Sequence, residues 1–273
     1  VERKFRDGYV GQWNLTAQYL ITSDTLLEAA YHGSKSTRLP TRLNYNQINP
    51  FPAQPPSFQQ NFPYPSASSV NILESRGASN YNALQARLER RLVRGFTLLA
   101  SYTWQKSLAD MDAVDGGFAN GAGPFGPQDI RNLRANKGPA VFDRPHRLAL
   151  SSLYELPIFK NRGGLVEGVL GGWQIGAITL FQSGAYLTPG VFGVSFTGSR
   201  ANLLGNPNLS SGERSIDRWF DVSKLANPAP GQLGNAGKGT IQGSGHNKWD
   251  LVVQKNFKIA ESHRVEFRTE FFN

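Results

Sequence analysis

Cysteine is absent from this sequence of 273 residues, and methionine occurs only once. The lack of cysteine excludes a disulfide framework, a thiolate metal site and a cysteine nucleophile. Hydrophobic residues make up 39% of the chain and charged residues 18%, below the roughly 45–50% and 25% of typical globular proteins. Apolar runs are only a few residues long, which excludes a transmembrane helix. Membrane-spanning β-strands are not excluded, because they alternate apolar and polar side chains.

The chain contains 29 glycines, 16 prolines and 11% aromatic residues. This composition favours β-strands joined by long loops. The formal net charge of +9 permits attraction to nucleic acid, anionic lipid or acidic solutes and does not select among them. Because lysine and arginine are dispersed and form no recognisable RNA- or DNA-binding motif, we expect no nucleic-acid partner.

Alternation of apolar and polar residues is the dominant pattern, and it predicts β-strands with one apolar face. In the first such segment, Trp13, Leu15 and Tyr19 share one parity, whereas Asn14 and Gln18 take the other. No segment shows a convincing helical period. We predict eight strands, near residues 10–21, 25–34, 80–92, 96–106, 144–156, 172–184, 248–258 and 263–273.

The predicted connections differ sharply in length. Tight turns join strands one to two, three to four and seven to eight, and long loops cover residues 36–79, 107–143 and 185–247. All three long loops fall on the same side of the predicted sheet. Short periplasmic turns and long extracellular loops are typical of outer-membrane barrels, whereas such loops are uncommon in compact soluble domains. The expected fold is all-β, an antiparallel up-and-down transmembrane barrel segment of about eight strands.

Aromatic residues concentrate near the ends of the predicted strands, on the apolar parity. Tryptophan and tyrosine favour the membrane–water interface, so these positions predict two lipid-interface girdles. The outer girdle would contain Trp13, Tyr31, Tyr102, Trp104, Phe181 and Trp249, and the inner girdle Tyr19, Phe96, Tyr154, Trp173 and Phe257. The alternative is a soluble sandwich or barrel whose aromatic side chains fill its core.

The opposite parity carries charges of both signs, which in a membrane barrel must face a hydrated lumen. A solvated outer face of a soluble sheet fits this parity equally well. The predicted lumen-facing residues are Glu28, Arg87, Glu89, Arg147, Glu155, Arg264, Glu266, Arg268 and Glu270.

Several runs resemble TonB-dependent outer-membrane receptors, most closely the group with a carboxypeptidase-regulatory-like N-terminal domain. Their order along the chain makes the resemblance more specific than any one of them. The runs are SNYNALQARLERR (79–91), FTLLASYTWQKS (96–107), DRPHRL (143–148), GGWQI (171–175), QSG (182–184), RWFD (218–221), GNAG (234–237), NKWD (247–250) and RVEFRTEFFN (264–273).

This resemblance implies the C-terminal part of a barrel of about 22 strands that is plugged by an N-terminal domain. It also implies import of a scarce solute, an oligosaccharide, a peptide or a chelated metal, with energy relayed by TonB through the plug region. We expect residues 1–273 to be a partial barrel domain without the plug, an internal piece of a longer chain located in the outer membrane of a Gram-negative bacterium. Outer-membrane lipid would surround it, and no cofactor is expected.

Candidate sites in the loops are weak. Asp110, Asp112 and Asp115 resemble a calcium loop, but the third acid is one position late and no glutamate follows at the twelfth. The histidines show no metal-ligand spacing and no nucleophile motif is present, so we expect neither a metal nor catalysis. Loop aromatics would stack on a ligand or pack the loops together. They are Tyr45, Phe51, Phe62, Tyr64, Phe118 and Phe125.

Two other functions fit the sequence. An eight-stranded barrel that closes on its own would be a passive or adhesive outer-membrane protein, revealed by a folded, heat-modifiable monomer in detergent. A soluble secreted β-protein that binds carbohydrate would instead be monodisperse without detergent.

Overall fold

Antiparallel β-strands dominate the computed structural model, which describes residues 3–47, 62–111, 127–159, 164–191, 200–229, 232–260 and 263–273. The long strands are β1 (Tyr9–Thr22), β2 (Thr25–Asn44), β3 (Asn71–Val93), β4 (Phe96–Ala109), β6 (His146–Glu155), β7 (Trp173–Gln182), β12 (His246–Ala260) and β13 (His263–Phe271). The short strands are β5 (Gly138–Pro139), β8 (Tyr186–Leu187), β9 (Asn202–Leu203), β10 (Leu225–Ala226) and β11 (Ile241–Gln242).

The eight long strands form one sheet in the order β1-β2-β3-β4-β6-β7-β12-β13, and β5 pairs with the loop end of β4. Each long strand is antiparallel to its neighbours, so the chain runs up and down through the sheet. Within the described ranges, β1 and β13 each pair on one side only, and the sheet therefore has two open edges.

The register aligns the apolar parity of each strand with that of its neighbours. Ala29 lies opposite Ala17 and Ala86, and Leu150 lies opposite Ala100 and Thr179. Side chains of a strand alternate between the two faces of its sheet. One side of the sheet is therefore a continuous apolar face, and the other carries the charged residues. We call these the apolar face and the charged face.

Turn chemistry explains the tight connection between β3 and β4. Val93 pairs with Phe96, leaving Arg94 and Gly95 as a two-residue turn with φ of 50° and 80°. Positive φ at both central residues is the signature of the type I′ turn, whose twist matches that of the flanking strands. This end of the sheet, with its short connections, is called the turn end, and the opposite end the loop end.

The hairpin of β2 and β3 is longer than the sequence predicts. The expected loop at residues 36–79 is wrong at both ends, because β2 continues to Asn44 and β3 already begins at Asn71. Their register shifts between Ser36 and Leu39. Strands of 20 and 23 residues far exceed the 9–11 or so that cross a bilayer. The alternation is interrupted at this bulge, which is why the pattern hides the extension.

The link between β6 and β7 contains an α-helix that the sequence analysis misses, α1 (Gly164–Leu170). The first residue of the helix, Gly164, and Gly172 just after its end have φ of 63° and 71°, a conformation that glycine adopts without strain. Seven residues are too few to show a helical period. No helix within the described ranges is long and apolar enough to cross a membrane.

Beyond the loop end, the described loop segments form a polar layer that contains short regular elements. Small antiparallel pairs join β8 to β11 and β9 to β10. Short 3-10 turns begin at Leu133, Ser211 and Val222. The fully buried side chains gather here and at the end of the long hairpin, including Leu43, Asn46 and Asp143. We call these outer segments the loop layer.

Candidate membrane wall and its loop layer

Large apolar side chains cover the apolar face and are exposed. Leu15 is 75% exposed, Trp104 57% and Leu251 41%. Soluble monomers rarely expose a contiguous apolar patch larger than a few hundred Å². A face of this composition, extended over eight strands, is suited to contact with hydrocarbon.

The aromatic residues predicted as two girdles all lie on the apolar face, and most lie near the ends of their strands, whereas Tyr31 lies inside the lengthened β2. At the loop end, Tyr102 stacks on His146 with its hydroxyl 2.7 Å from Nδ1, and the Phe181 and Trp249 rings lie 5.5 Å apart. At the turn end, Phe96 meets Tyr154 edge to face at 6.2 Å. Eight residues separate Trp104 from Phe96, about 27 Å along the strand, or roughly 20 Å across a bilayer at a typical tilt of ~40°.

Charge on the apolar face is restricted to cations at its two ends. Between the turn end and the bulge near Leu39, the described residues of that parity in the paired regions include no Asp or Glu. Lys35 and Lys106 lie towards the loop end, and Arg90 and Lys255 towards the turn end. Arg90 lies 5.8 Å from the Phe96 ring centroid, and the Lys255 ammonium 4.9 Å from that of Phe257. The prediction from sequence names only the charges of the opposite parity, although counting alternate residues along each strand also finds these cations.

All nine residues predicted to face a lumen lie on the charged face, and opposite charges meet there. Arg87 lies opposite Glu28 and bonds Glu89 at 2.9 Å, and Arg268 pairs with Glu270. Most of these groups are partly exposed, so each ion pair contributes little to stability. Their effect is to give this side of the sheet a hydrated lining in which positive and negative charges nearly balance.

The charged face is not uniformly polar. Leu153, Ile178 and Val252 form an apolar area across β6, β7 and β12. This agrees with the sequence of β7, in which apolar residues occur on both parities. Ile178 is 60% exposed. Lys248 and Asp250 pair at 2.9 Å beside it.

Four amide side chains connect remote backbone segments of the loop layer. Each donates to at least one backbone carbonyl and accepts from a backbone N–H, as a partner strand would. Gln47 donates to Pro127 and accepts from Ile130, both at 2.9 Å. Gln128 likewise joins Gly234 to Arg200. Asn46 and Asn208 do the same for the segments around Tyr64 and around Thr240. Sequence alone does not separate these amides from solvated ones.

A buried arginine and a buried lysine tie the loop layer to the strands. Arg200 is 8% exposed and donates to the Asn136 side chain and to the carbonyls of Ala135 and Ala236. Burial lowers the pKa of its guanidinium. Lys238, 7% exposed, donates to the carbonyl of Ala109 at 3.0 Å. Both cations bond to neutral oxygen atoms in these contacts, Arg200 to oxygens of the loop layer and Lys238 to the carbonyl at the end of β4.

The carboxylates at the loop end serve backbone groups. Both Asp110 oxygens accept from the Ala78 N–H, at 2.8 and 3.0 Å, so this member of the weak metal motif is already engaged. Asp112 and Asp115 lie outside the described residues. Asp143 is 1% exposed and accepts from Gln105 at 3.3 Å. Burial raises the pKa of Asp110 and of Asp143, against the hydrogen bonds that favour their charged forms.

The predicted loop aromatics are only partly described. The Tyr45 hydroxyl donates to the Glu74 carboxylate, and burial raises the pKa of Tyr45. Tyr64 is exposed, and its backbone is held by Asn46. Phe62 is half-buried, while Phe51, Phe118 and Phe125 lie outside the described residues. Of the described members, Tyr45 and the backbone of Tyr64 are thus bonded to neighbouring protein groups.

The up-and-down antiparallel sheet, apolar on one face, defines the class: it is the wall of an outer-membrane β-barrel. The chain belongs to the outer membrane beta barrel domain family, whose model matches residues 1–273. The outer membrane transporter YddB from Escherichia coli has a similar structure, with a TM-score of 0.51 at 9% sequence identity. That likeness covers 99% of this chain and 29% of YddB, so the chain spans less than a third of the transporter. No curated protein matches the sequence significantly.

Family membership places the protein in the outer membrane, surrounded by membrane lipid. The soluble, carbohydrate-binding alternative is therefore wrong. The choice between a transporter and a passive or adhesive barrel depends on the width of the barrel and on how passage through it is controlled.

Proposed function

We propose that this chain forms part of the wall of a TonB-dependent importer in the outer membrane. The observation that carries the proposal is a sheet with an exposed apolar face, a charged opposite face and two open edges. Such a sheet suits a segment of a wide barrel with a hydrated interior.

The open edges favour a wide barrel over a small one. Each backbone N–H or C=O left unpaired in hydrocarbon costs several kcal/mol, so open sheet edges do not persist there. In the structure β1 and β13 pair with β2 and β12 and not with each other. Further strands would complete them. An eight-stranded barrel fills its interior with side chains, whereas barrels of about 22 strands enclose a plugged lumen.

The charged face suits passage of a polar solute. Ion pairs such as Arg87–Glu89 and Lys248–Asp250 partly neutralise the charges of this lining and keep it polar. The loop layer holds irregular segments in place beyond the loop end, where a solute would enter. We infer that the solute is an oligosaccharide, a peptide or a chelated metal, and that the protein transports without catalysing a reaction.

Energy coupling is supported by the resemblance of nine sequence runs to TonB-dependent receptors, and transport by the likeness to an outer membrane transporter. TonB would act through a plug region outside this chain. A passive barrel, by contrast, would conduct without TonB.

Uptake measurements separate these functions. Radiolabelled maltooligosaccharides, a peptide mixture and ferric citrate would be offered to cells with and without this protein, each in TonB-positive and TonB-negative backgrounds. We expect accumulation of at least one solute to require both proteins. Accumulation that requires this protein and not TonB would identify a passive barrel instead.

A further inference from the structure

The link between β6 and β7 lies against the apolar face at the turn end. The Lys255 ammonium donates to the carbonyl of Gly171, just after α1, and the Trp173 indole donates to the carbonyl of Val169 at 3.2 Å. Lys255 and Trp173 face each other across β12 and β7 on the apolar face. Two hydrogen bonds thus hold the end of α1 to the outside of the wall.

The contacts around this attachment leave little freedom. Lys255 is only 2% exposed, with its ammonium 4.9 Å from the Phe257 centroid and 5.7 Å from that of Trp173. A Cβ added at Gly171 would lie 2.9 Å from the Glu167 carbonyl and 3.1 Å from that of Phe159. Glycine therefore lets the backbone around Phe159 and the backbone of α1 approach each other at Gly171, the residue whose carbonyl Lys255 bonds.

The described part of the link exposes large apolar side chains. They are Ile158, Phe159, Val166, Val169 and Leu170, between 43% and 55% exposed. A short connection in water would ordinarily be polar. A segment that lies in the membrane interface instead buries such side chains at the boundary between headgroups and acyl chains.

We propose that α1 and the residues Ile158 and Phe159 form an interfacial anchor, inserted into the bilayer leaflet at the turn end and fastened to the barrel wall by Lys255 and Trp173. Its occupant is the lipid boundary itself, because the anchor continues the apolar face at the level of the inner aromatic girdle. The inference rests on the assignment of that face to lipid in the proposed function.

The anchor can be located by depth-dependent quenching. This chain has no cysteine. In the full-length protein, with any cysteine outside this chain replaced, Val169→Cys, Leu251→Cys and Ile216→Cys would each carry a single environment-sensitive fluorophore after reconstitution into phosphatidylcholine vesicles. Nitroxides would be placed on the lipids near the headgroup or deep in the acyl chain. Val169 lies in α1, Leu251 in the wall, and Ile216 is fully exposed in the loop layer.

We expect shallow nitroxides to remove most of the Val169 emission, deep ones most of the Leu251 emission, and neither to affect Ile216. A Val169 probe that behaves like the Ile216 probe, or that is shielded from every nitroxide, overturns the anchor while the Leu251 result still supports the wall. An unquenched Leu251 probe overturns the lipid-facing wall and, with it, the proposed function.

The fastening is tested by Lys255→Met, with Lys248→Met on the charged face as the matched control. Lys255→Met should lose shallow quenching at Val169 without changing quenching at Leu251, and the control should change neither. Trp173→Phe keeps the ring and removes only the indole donor, so it provides the same test if Lys255→Met fails to assemble. Unchanged Val169 quenching in assembled variants contradicts the role of these two residues.

Discussion

The wall and the loop layer satisfy the same backbone requirement in different ways. In the wall, each strand meets its neighbour along a ladder of backbone pairs that is interrupted at bulges such as the one near Leu39, and most pairs are adjacent hairpins, such as β1 with β2. In the loop layer, single side chains take the place of a ladder and reach across long stretches of chain. Lys238 bonds a carbonyl 129 residues away, and Gln128 one 106 residues away.

This difference determines what each region tolerates. The wall depends on which face a side chain occupies, and the identity of an apolar residue matters less. The loop layer depends on particular atoms, because an unpaired buried donor or acceptor costs about 1–3 kcal/mol. The two regions should therefore differ both in the kind of substitution that destabilises them and in the size of the loss of stability.

The largest effect is expected from charge on the apolar face. Leu150→Arg places a guanidinium near the middle of the band, at a cost of about 2–4 kcal/mol. Ser151→Arg, the neighbouring residue on the charged face, should be much milder because its side chain reaches the lumen. Heat-modifiable mobility and urea unfolding from vesicles measure both. Equal costs for the two variants would mean that the faces do not differ in environment.

A smaller, local effect is expected in the loop layer. Arg200→Met fills similar space and leaves the Ala135 and Ala236 carbonyls and the Asn136 side chain without their donor, at a cost of about 1.5–3 kcal/mol in local stability. Hydrogen exchange across residues 200–229 should accelerate while the wall stays protected. The exposed Arg218→Met is the matched control and should change little. Accelerated exchange throughout β6 and β7 would show that the two regions are one cooperative unit.

The wall could be predicted from the sequence because its signal is local. Alternation places residues on two faces, and neighbouring strands repeat it, as in Leu84 opposite Trp104 and Tyr31. The prediction fails where that period breaks, at the bulge near Leu39 and in the seven residues of α1. Both are short irregularities that a period of two cannot represent.

The loop layer could not be predicted because its contacts are long-range and chemically unspecific in sequence. Arg200, Gln47 and Asn208 look like solvated loop residues until the fold brings distant carbonyls to them. The sequence instead suggests the aromatic and acidic loop residues as candidate ligand and metal sites. In the structure, Tyr45 and Asp110 bond neighbouring protein groups. Residue type alone does not separate a structural polar contact from a ligand site.

Steric detail within the wall gives the third prediction. A Cβ on Gly33 would lie 2.2 Å from the Trp13 indole nitrogen, whereas one on Gly11 would meet nothing within 4 Å. Gly33→Ala should therefore cost about 1–3 kcal/mol through overpacking, and Gly11→Ala almost nothing. Urea midpoints measure both. In a Trp13→Ala background the cost of Gly33→Ala should vanish, and a cost that persists there would locate the clash elsewhere.

The smallest effect is a dependence on pH within the loop layer. Burial raises the pKa of Asp143, so the carboxyl binds its proton more readily in the folded protein than in the unfolded chain. The local stability should then rise as the pH falls through the folded pKa, and level off below the ordinary carboxyl value. Asp143→Asn, which cannot titrate, should flatten this rise in hydrogen exchange around Gln105.

Glu213 and Asp221 provide the contrast for that measurement. Hydrogen bonds from Ser210 and Ser223 lower their pKa values, so their contribution is present above the ordinary carboxyl pKa and is lost as the pH falls through their folded pKa values. Exchange near Ser210 and Ser223 should therefore accelerate in acid, while exchange near Asp143 slows. Acceleration at all three positions would mean that acid loosens the loop layer as a whole and that burial of Asp143 does not govern its local stability.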